Sequence, residues 1–112
     1  MDGEEIKRRS KRKDFLGDVK VRFVGQPDYT TLAVKDISAS GIRVISPRLG
    51  EAGDSLEIKM NISGRDIQCK GKVIWVLLLR PCLGNIASFD MGLEFYELKA
   101  QDRVFLEKLT EG

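Results

Sequence analysis

The stretch "SLEIKMNISGRDIQCKGKVIWVLLL", Ser55 to Leu79, decides the fold class. In its first eight residues apolar and polar side chains alternate, which is the pattern of a strand with one buried face. The tetrapeptide "SGRD", Ser63 to Asp66, is typical of a tight turn. The run from Ile67 to Leu79 predicts a second strand, in which Gly71 marks a bulge or a bend. The stretch therefore predicts an antiparallel hairpin.

Four further strands are predicted around this hairpin by apolar-rich runs that turn-forming residues separate. Three precede the hairpin and one follows it: Val19 to Val24, Thr30 to Asp36, Ile42 to Ser46 and Ala87 to Leu98. Six closely spaced strands in 112 residues favour an all-β fold, namely a closed or nearly closed six-stranded antiparallel barrel without exposed edges.

The apolar period changes after the last predicted strand. Apolar residues then fall at near-helical offsets, which predicts one short amphipathic C-terminal helix from about Lys99 to Leu109. The apolar positions are Leu98, Val104, Phe105 and Leu109.

The composition is that of a soluble globular domain, with 42% apolar and 32% charged residues. Its longest apolar run, "VIWVLLL" from Val73 to Leu79, is far shorter than the roughly 20 residues that a membrane-spanning helix needs. No apolar segment follows the charged N-terminus, so we expect no membrane insertion and a cytoplasmic location. The run is more apolar than alternation requires. We therefore expect both of its faces to be covered, one by the barrel interior and one by the helix or a partner chain.

The residue types that carry most catalysis are missing or isolated. The chain has no histidine, which removes the commonest general base and the commonest metal ligand. The two cysteines, Cys69 and Cys82, have no metal-ligand spacing and are expected to be reduced thiols. We therefore expect no enzyme, no catalytic residue, no metal and no cofactor.

Positive charge is concentrated in "KRRSKRK", Lys7 to Lys13, where six of seven residues are cationic. The 99 residues that follow hold 13 Lys or Arg and 14 Asp or Glu. We interpret residues 1–14 as a flexible basic segment and residues 15–112 as the barrel domain. The segment fits a solvated tail, a nucleic-acid arm or a site for a small anion, because guanidinium groups bind phosphate and guanine edges and stack on bases.

A second feature, "DISASG" from Asp36 to Gly41, lies between two predicted strands. The carboxylate of Asp36 suits the N1–H and N2–H₂ donors of a guanine, and Ser38 adds a hydroxyl. Gly41 permits a positive φ or a close backbone approach. Taken alone, the same residues are typical of a turn in which Asp36 bonds local amides.

In this order, the two features resemble the signature of the PilZ domain family, RxxxR followed by [D/N]xSxxG. Here the motifs are "RRSKR", Arg8 to Arg12, and "DISASG", Asp36 to Gly41. Two later stretches, "GKVIW" from Gly71 to Trp75 and "MGLEF" from Met91 to Phe95, are similar to late strands of that family. The resemblance covers nearly the whole chain, and it implies a six-stranded barrel that is a receptor for cyclic di-GMP, a bacterial second messenger.

The resemblance also implies a role for each motif residue. Arg8 and Arg12 would pair with phosphates and contact or stack on a base. Asp36 and Ser38 would hold a guanine edge, while Gly41 would let the ligand approach the backbone.

Three further residues are candidates for the same site. Arg9 would be an auxiliary phosphate contact, and Lys7 is a second candidate of this kind. Trp75 lies in an apolar run that is typical of the core, but its ring would stack on a guanine if it bordered the site.

The expected function is therefore a non-catalytic receptor that passes a ligand-induced conformational change to a downstream effector protein. We expect a monomer or a weak dimer. Two alternatives remain: a small-barrel nucleic-acid module, and a ligand-independent protein adaptor that uses Val73 to Leu79. Nucleic acid is disfavoured because the barrel residues are not basic and the basic segment contains no aromatic residue.

Overall fold

A computed structural model of the protein describes residues 13–47, 50–79 and 88–111. Within these ranges the elements are β1 Lys13–Phe23, β2 Thr30–Ile37, β3 Gly41–Ser46, β4 Ser55–Ile62, β5 Arg65–Leu79, β6 Ser88–Tyr96 and α1 Ala100–Glu111. The strands close into a barrel in the order β1-β2-β3-β6-β5-β4, and all neighbours are antiparallel. The predicted six-stranded antiparallel barrel with one C-terminal helix is confirmed.

The β4–β5 hairpin forms as predicted, but its turn is shorter than the predicted Ser63 to Asp66 because β5 begins at Arg65. Its register runs without interruption from the Ser55–Lys72 pair to the Ile62–Arg65 pair. The turn residues Ser63 and Gly64 have φ values of 53° and 84°. Two positive φ values give the turn the twist of the flanking strands, which is why short hairpins favour it.

The barrel interior is filled by alternate residues of each strand. The largest fully buried side chains include Val19, Val21, Ile37, Ile42, Val44, Leu56, Ile58, Ile62, Ile67, Met91, Leu93 and Leu106. Each such side chain removed from water contributes about 1.5–3 kcal/mol to folding. The polar residues between them face outward, and the candidate site lies on this outer face.

The first strand is longer than predicted. It begins at Lys13, six residues before the predicted start at Val19, and its register shifts between Asp14 and Gly17. This irregularity interrupts the alternation from which strands are read. Lys13 and Asp14, which we assigned to the basic segment, belong to β1. The division into a flexible segment and a barrel domain otherwise stays a prediction, because residues 1–12 lie outside the described residues.

The irregularity of β5 lies at a different residue from the one predicted. The register shifts between Val73 and Trp75, whereas Gly71 pairs regularly with Leu56 and Phe95. A Cβ on Gly71 would lie 2.6 Å from the Cδ1 atom of Ile58. The glycine therefore makes room for a neighbouring core side chain and does not form a bulge.

The helix α1 packs on the core through the predicted apolar residues Phe105 and Leu109, which are partly buried, and through Leu106, which the helical spacing did not identify. Leu106 is fully buried, whereas the predicted apolar position Val104 is exposed. Asp102, also buried, accepts a hydrogen bond from the Nε of Arg65 at 2.9 Å. This charged pair joins the first turn of the helix to the start of β5.

The apolar run at the end of β5 is not covered by the helix. The side chains of Ile74, Leu77 and Leu78 are exposed, so the expectation that α1 covers their face is wrong. No helix among the described residues is long and apolar enough to cross a membrane.

Candidate functional site

The β2–β3 connection, which carries the predicted serine, is organised by that serine's hydroxyl. Ser38 N–H donates to the Gly41 carbonyl at 2.9 Å. Its Oγ accepts hydrogen bonds from the amides of Ser40 and Gly41, both at 3.2 Å. Because Ser38 is 0% exposed, these bonds satisfy a buried hydroxyl and shape the loop. Direct contact between Ser38 and a guanine stays a prediction.

Gly41 provides a close approach between two strands. A Cβ on this residue would lie 2.2 Å from the Leu93 carbonyl oxygen of β6. The adjacent Ser40 carbonyl accepts a hydrogen bond from the Phe95 amide at 2.9 Å. The space that the missing side chain leaves is therefore used by the β6 backbone. Approach of a ligand to Gly41 stays a prediction.

Asp36 lies on the outer face of the barrel at the end of β2. The register of β2 shifts between Val34 and Asp36, and Asp36 is paired with Arg43 of β3. The Asp36 side chain is 15% exposed, and its Oδ2 lies 3.9 Å from Nη1 of Arg43. That distance makes an ion pair but is too long for a direct hydrogen bond.

Arg43 is held in place by a second carboxylate that the sequence did not single out. Its Nε lies 2.9 Å and 3.0 Å from the two oxygens of Asp90, and its Nη2 donates to Oδ2 at 2.5 Å. The Asp90 side chain is 3% exposed and that of Arg43 is 40% exposed. The hydrogen bonds from Arg43 to Asp90 raise the pKa of the guanidinium further, so Arg43 stays charged at every working pH.

Sequence reasoning missed this pair, although each residue carries a signal. Arg43 stands alone between the buried residues Ile42 and Val44, so it must project outward from β3. Asp90 is an acidic residue between the apolar residues Phe89 and Met91 of the predicted last strand. A buried carboxylate requires a cationic partner, and the strand order supplies one.

Trp75 lies outside the core, so its interpretation as a core residue is wrong. The residue is 37% exposed. A Cβ on its register partner Gly92 would lie 2.2 Å from the indole Nε1, so the ring lies against the backbone of β6. Gly92 is in turn paired with Arg43. Trp75, Gly92, Arg43 and Asp36 are therefore successive register partners on the four neighbouring strands β5, β6, β3 and β2.

The predicted basic residues precede the first described strand. Lys7, Arg8, Arg9 and Arg12 lie outside the described residues. In β1 the pairs Lys13–Ile37 and Asp14–Asp36 hold the start of the strand beside the end of β2. The chain therefore enters the barrel beside Asp36.

The helix also contacts the loop between β2 and β3. Arg103 Nη1 donates a hydrogen bond to the Ala39 carbonyl at 3.3 Å. The Ala39 side chain is buried in the core cluster. The loop of the second motif is thus joined to β6 and to α1.

A separate groove of about 750 Å³ is lined by residues of β1, β2, β4, β5 and the start of α1. Its charged lining consists of three lysines and three aspartates: Lys20, Lys59, Lys99, Asp18, Asp66 and Asp102. This lining has no net charge, and it contains none of the predicted site residues. Among the described residues no cluster of Cys, Asp or Glu could hold a metal ion.

The PilZ domain family model matches residues 6–112, and the chain belongs to this family. No curated protein sequence matches the chain at a significant level.

Solved structures with the same fold agree with this assignment. The structure of the Bacillus subtilis inhibitor of motility MotI/DgrA has a TM-score of 0.74 and 23% identity, over 93% of this chain and 49% of that chain. The "PilZ domain with c-di-GMP of YcgR from Escherichia coli" has a TM-score of 0.72 and 12% identity, over 93% of this chain and 88% of that chain. The K. pneumonia MrkH–c-di-GMP complex has a TM-score of 0.70 and 16% identity, over 92% of this chain and 50% of that chain. The chain spans about half the length of MotI/DgrA and MrkH.

Proposed function

We propose that the protein is a non-catalytic receptor for cyclic di-GMP. Membership of the PilZ family supports this function. Two similar structures, those of YcgR and MrkH, are described with c-di-GMP. A cytoplasmic location suits a receptor for a cytoplasmic second messenger.

The observation that carries the proposal is the register of β1 and β2. Lys13 pairs with Ile37 and Asp14 pairs with Asp36. Arg12 immediately precedes Lys13 in the sequence, so we propose that the RxxxR segment reaches the loop that begins after Ile37. The two motifs are 24 residues apart in sequence, from Arg12 to Asp36, but the barrel brings their connection points together.

In this proposal each candidate has a distinct role. Arg8 and Arg12 bind phosphates and a base, with Arg9 and Lys7 as auxiliary cations. Asp36 accepts hydrogen bonds from the guanine N1–H and N2–H₂. Ser38 and Gly41 act by fixing the loop, and Trp75 offers an exposed ring for stacking.

Calorimetric titration of the full chain with cyclic di-GMP tests the proposal. We expect saturable binding, and at least a tenfold loss of affinity in Arg12→Ala, since a charge-assisted contact contributes about 1.5–3 kcal/mol. Arg22→Ala is the matched control, because Arg22 also pairs with a carboxylate, Glu57, at the other end of β1. Folded wild-type protein that gives no heat at high micromolar ligand contradicts the function.

We further propose that the bound state signals to a protein partner. The exposed apolar side chains Ile74, Leu77 and Leu78 provide a surface for such an effector. The nucleic-acid alternative predicts a steep fall of affinity with salt, whereas a pocket for a dinucleotide with two phosphates predicts a shallow one.

A further inference from the structure

On the outer face of the barrel, a buried carboxylate, that of Asp90, holds the side chain of Arg43 in position. Asp90 accepts from both Nε and Nη2 of Arg43, and this bidentate contact orients the guanidinium plane. The Asp90 carboxylate is buried while the Arg43 side chain is 40% exposed. Asp90 therefore anchors Arg43 from the buried side, and the rest of the Arg43 guanidinium faces solvent.

The exposed end of Arg43 lies beside the predicted guanine ligand Asp36. Nη1 of Arg43 and Oδ2 of Asp36 are 3.9 Å apart. The side-chain hydrogen bonds of Arg43 go to Asp90, and its approach to Asp36 is at ion-pair distance. The anchor thus keeps a hydrogen-bond donor and an acceptor side by side.

A donor beside an acceptor complements the edge of guanine and not that of adenine. Guanine presents the acceptor O6 next to the donors N1–H and N2–H₂. Adenine presents the donor N6–H₂ next to the acceptor N1, which is the reverse order. With Asp36 accepting from N1–H and N2–H₂, the neighbouring O6 lies on the side where a donor is needed.

We infer that Arg43 reads the O6 atom of the guanine held by Asp36, and that Asp90 is the positioning residue that aims it. This inference rests on the proposed function, and it assigns base selectivity to two residues outside both signature motifs. Arg43 would contribute to affinity for cyclic di-GMP and, more specifically, to discrimination against cyclic di-AMP.

The test is calorimetric titration of wild type and variants with both cyclic dinucleotides. We expect Arg43→Ala to lower the affinity for cyclic di-GMP about tenfold, as for loss of one charge-assisted hydrogen bond, and to lower its preference over cyclic di-AMP by a similar factor. Arg43→Lys keeps a cation for Asp90 but has no planar fork, so it should also lose the preference. Asp90→Asn should reduce the preference because it loosens Arg43, while Arg22→Ala should keep it.

Folding is checked by circular dichroism and thermal unfolding, because Arg43→Ala leaves a buried carboxylate without its partner. If that variant does not fold, the double variant Arg43→Ala and Asp90→Ala removes both charges and is titrated in its place. Arg43 variants that bind and discriminate like the wild type overturn the inference while the receptor function stands. An equal loss for both ligands also overturns it, since it indicates a structural role alone. Wild-type protein that binds neither ligand overturns the receptor function and the inference together.

Discussion

The indole ring of Trp75 occupies the space that a side chain on Gly92 would need. A Cβ built on Gly92 would lie 2.2 Å from Nε1 and 2.4 Å from Cε2 of the ring. Gly92 also pairs with Arg43 on the next strand. The glycine therefore lets the only tryptophan of the chain lie on the face that carries Arg43 and Asp36.

Because Trp75 is the only tryptophan of the chain and lies beside the proposed site, tryptophan fluorescence should report ligand binding. We expect cyclic di-GMP to change the emission, with a midpoint equal to the calorimetric dissociation constant, since a base near the ring removes water from it. Gly92→Ala should displace the ring and weaken the change. Gln68→Ala is the control, because Gln68 is an exposed residue of the same strand, seven positions before Trp75. Calorimetric binding without any emission change would place the ligand away from Trp75.

Removal of the Ser38 hydroxyl should open the loop between β2 and β3. In Ser38→Ala the amides of Ser40 and Gly41 lose their acceptor, which costs about 1–3 kcal/mol for buried groups. We expect faster hydrogen exchange at these two amides and weaker binding of cyclic di-GMP. The measurement combines NMR-detected exchange with calorimetry.

Ser40→Ala is the matched control for this prediction. Ser40 is half-buried, and its hydroxyl lies 3.1 Å from that of Ser38, so its loss removes no acceptor from a backbone amide. We expect a smaller effect on exchange and on binding. If Ser38→Ala leaves both amides protected but abolishes binding, Ser38 contacts the ligand directly and the loop-shaping role is wrong.

Most of the barrel could be predicted because long parts of its strands alternate between buried and exposed residues. The β4–β5 hairpin was identified from apolar side chains at every second position and a turn over Ser63 to Asp66, which the structure narrows to Ser63 and Gly64. The start of β1 was missed because the register shifts between Asp14 and Gly17, where alternation fails. Gly71 was misread because a glycine at a crowded interior position and one in a bulge look the same in a sequence.

The candidate site could be predicted only where a motif marked it. Asp36, Ser38 and Gly41 were proposed from the resemblance of their motif to the family signature, and the structure adds what Ser38 and Gly41 do within the loop. Arg43 and Asp90 are 47 positions apart, and their contact depends on β3 lying beside β6. Contacts between residues on non-consecutive strands depend on the order of the strands in the barrel. The periodicity of each strand shows which side chains are buried but not which strand lies beside it.

Burial should make Cys69 unreactive in the folded protein and destabilising at alkaline pH. Loss of solvent, with a smaller contribution from Asp102, raises the pKa of the thiol from 9.0 to about 12. Between these values the unfolded chain releases a proton that the native state keeps. The free energy of unfolding should therefore fall as pH rises above 9, by at most about 1.4 kcal/mol per pH unit.

Urea unfolding of wild type and Cys69→Ala at pH 8, 9 and 10 measures this contribution. We expect the wild type to lose more stability than the variant as pH rises, because only the wild type carries the Cys69 thiol. Cys82 is present in both proteins, so its effect cancels. A Cys82→Ser variant should react with a thiol reagent only on unfolding, since a pKa of about 12 in place of 9.0 reduces the thiolate fraction at pH 8 roughly 1,000-fold. Equal pH dependence of the two proteins in the unfolding experiment would contradict the raised pKa.

The contact between Arg103 and the Ala39 carbonyl should couple the loop between β2 and β3, where we propose that the ligand binds, to α1. Since this hydrogen bond joins the helix to the loop, we expect cyclic di-GMP to slow hydrogen exchange in residues 100–111. Arg103→Ala should reduce this protection and destabilise the fold by about 0.5–1.5 kcal/mol. Lys108→Ala, an exposed cation on the same helix, is the control and should retain the protection. The measurement is hydrogen exchange by mass spectrometry with and without ligand. Equal protection in the two variants would show that the loop and the helix respond independently.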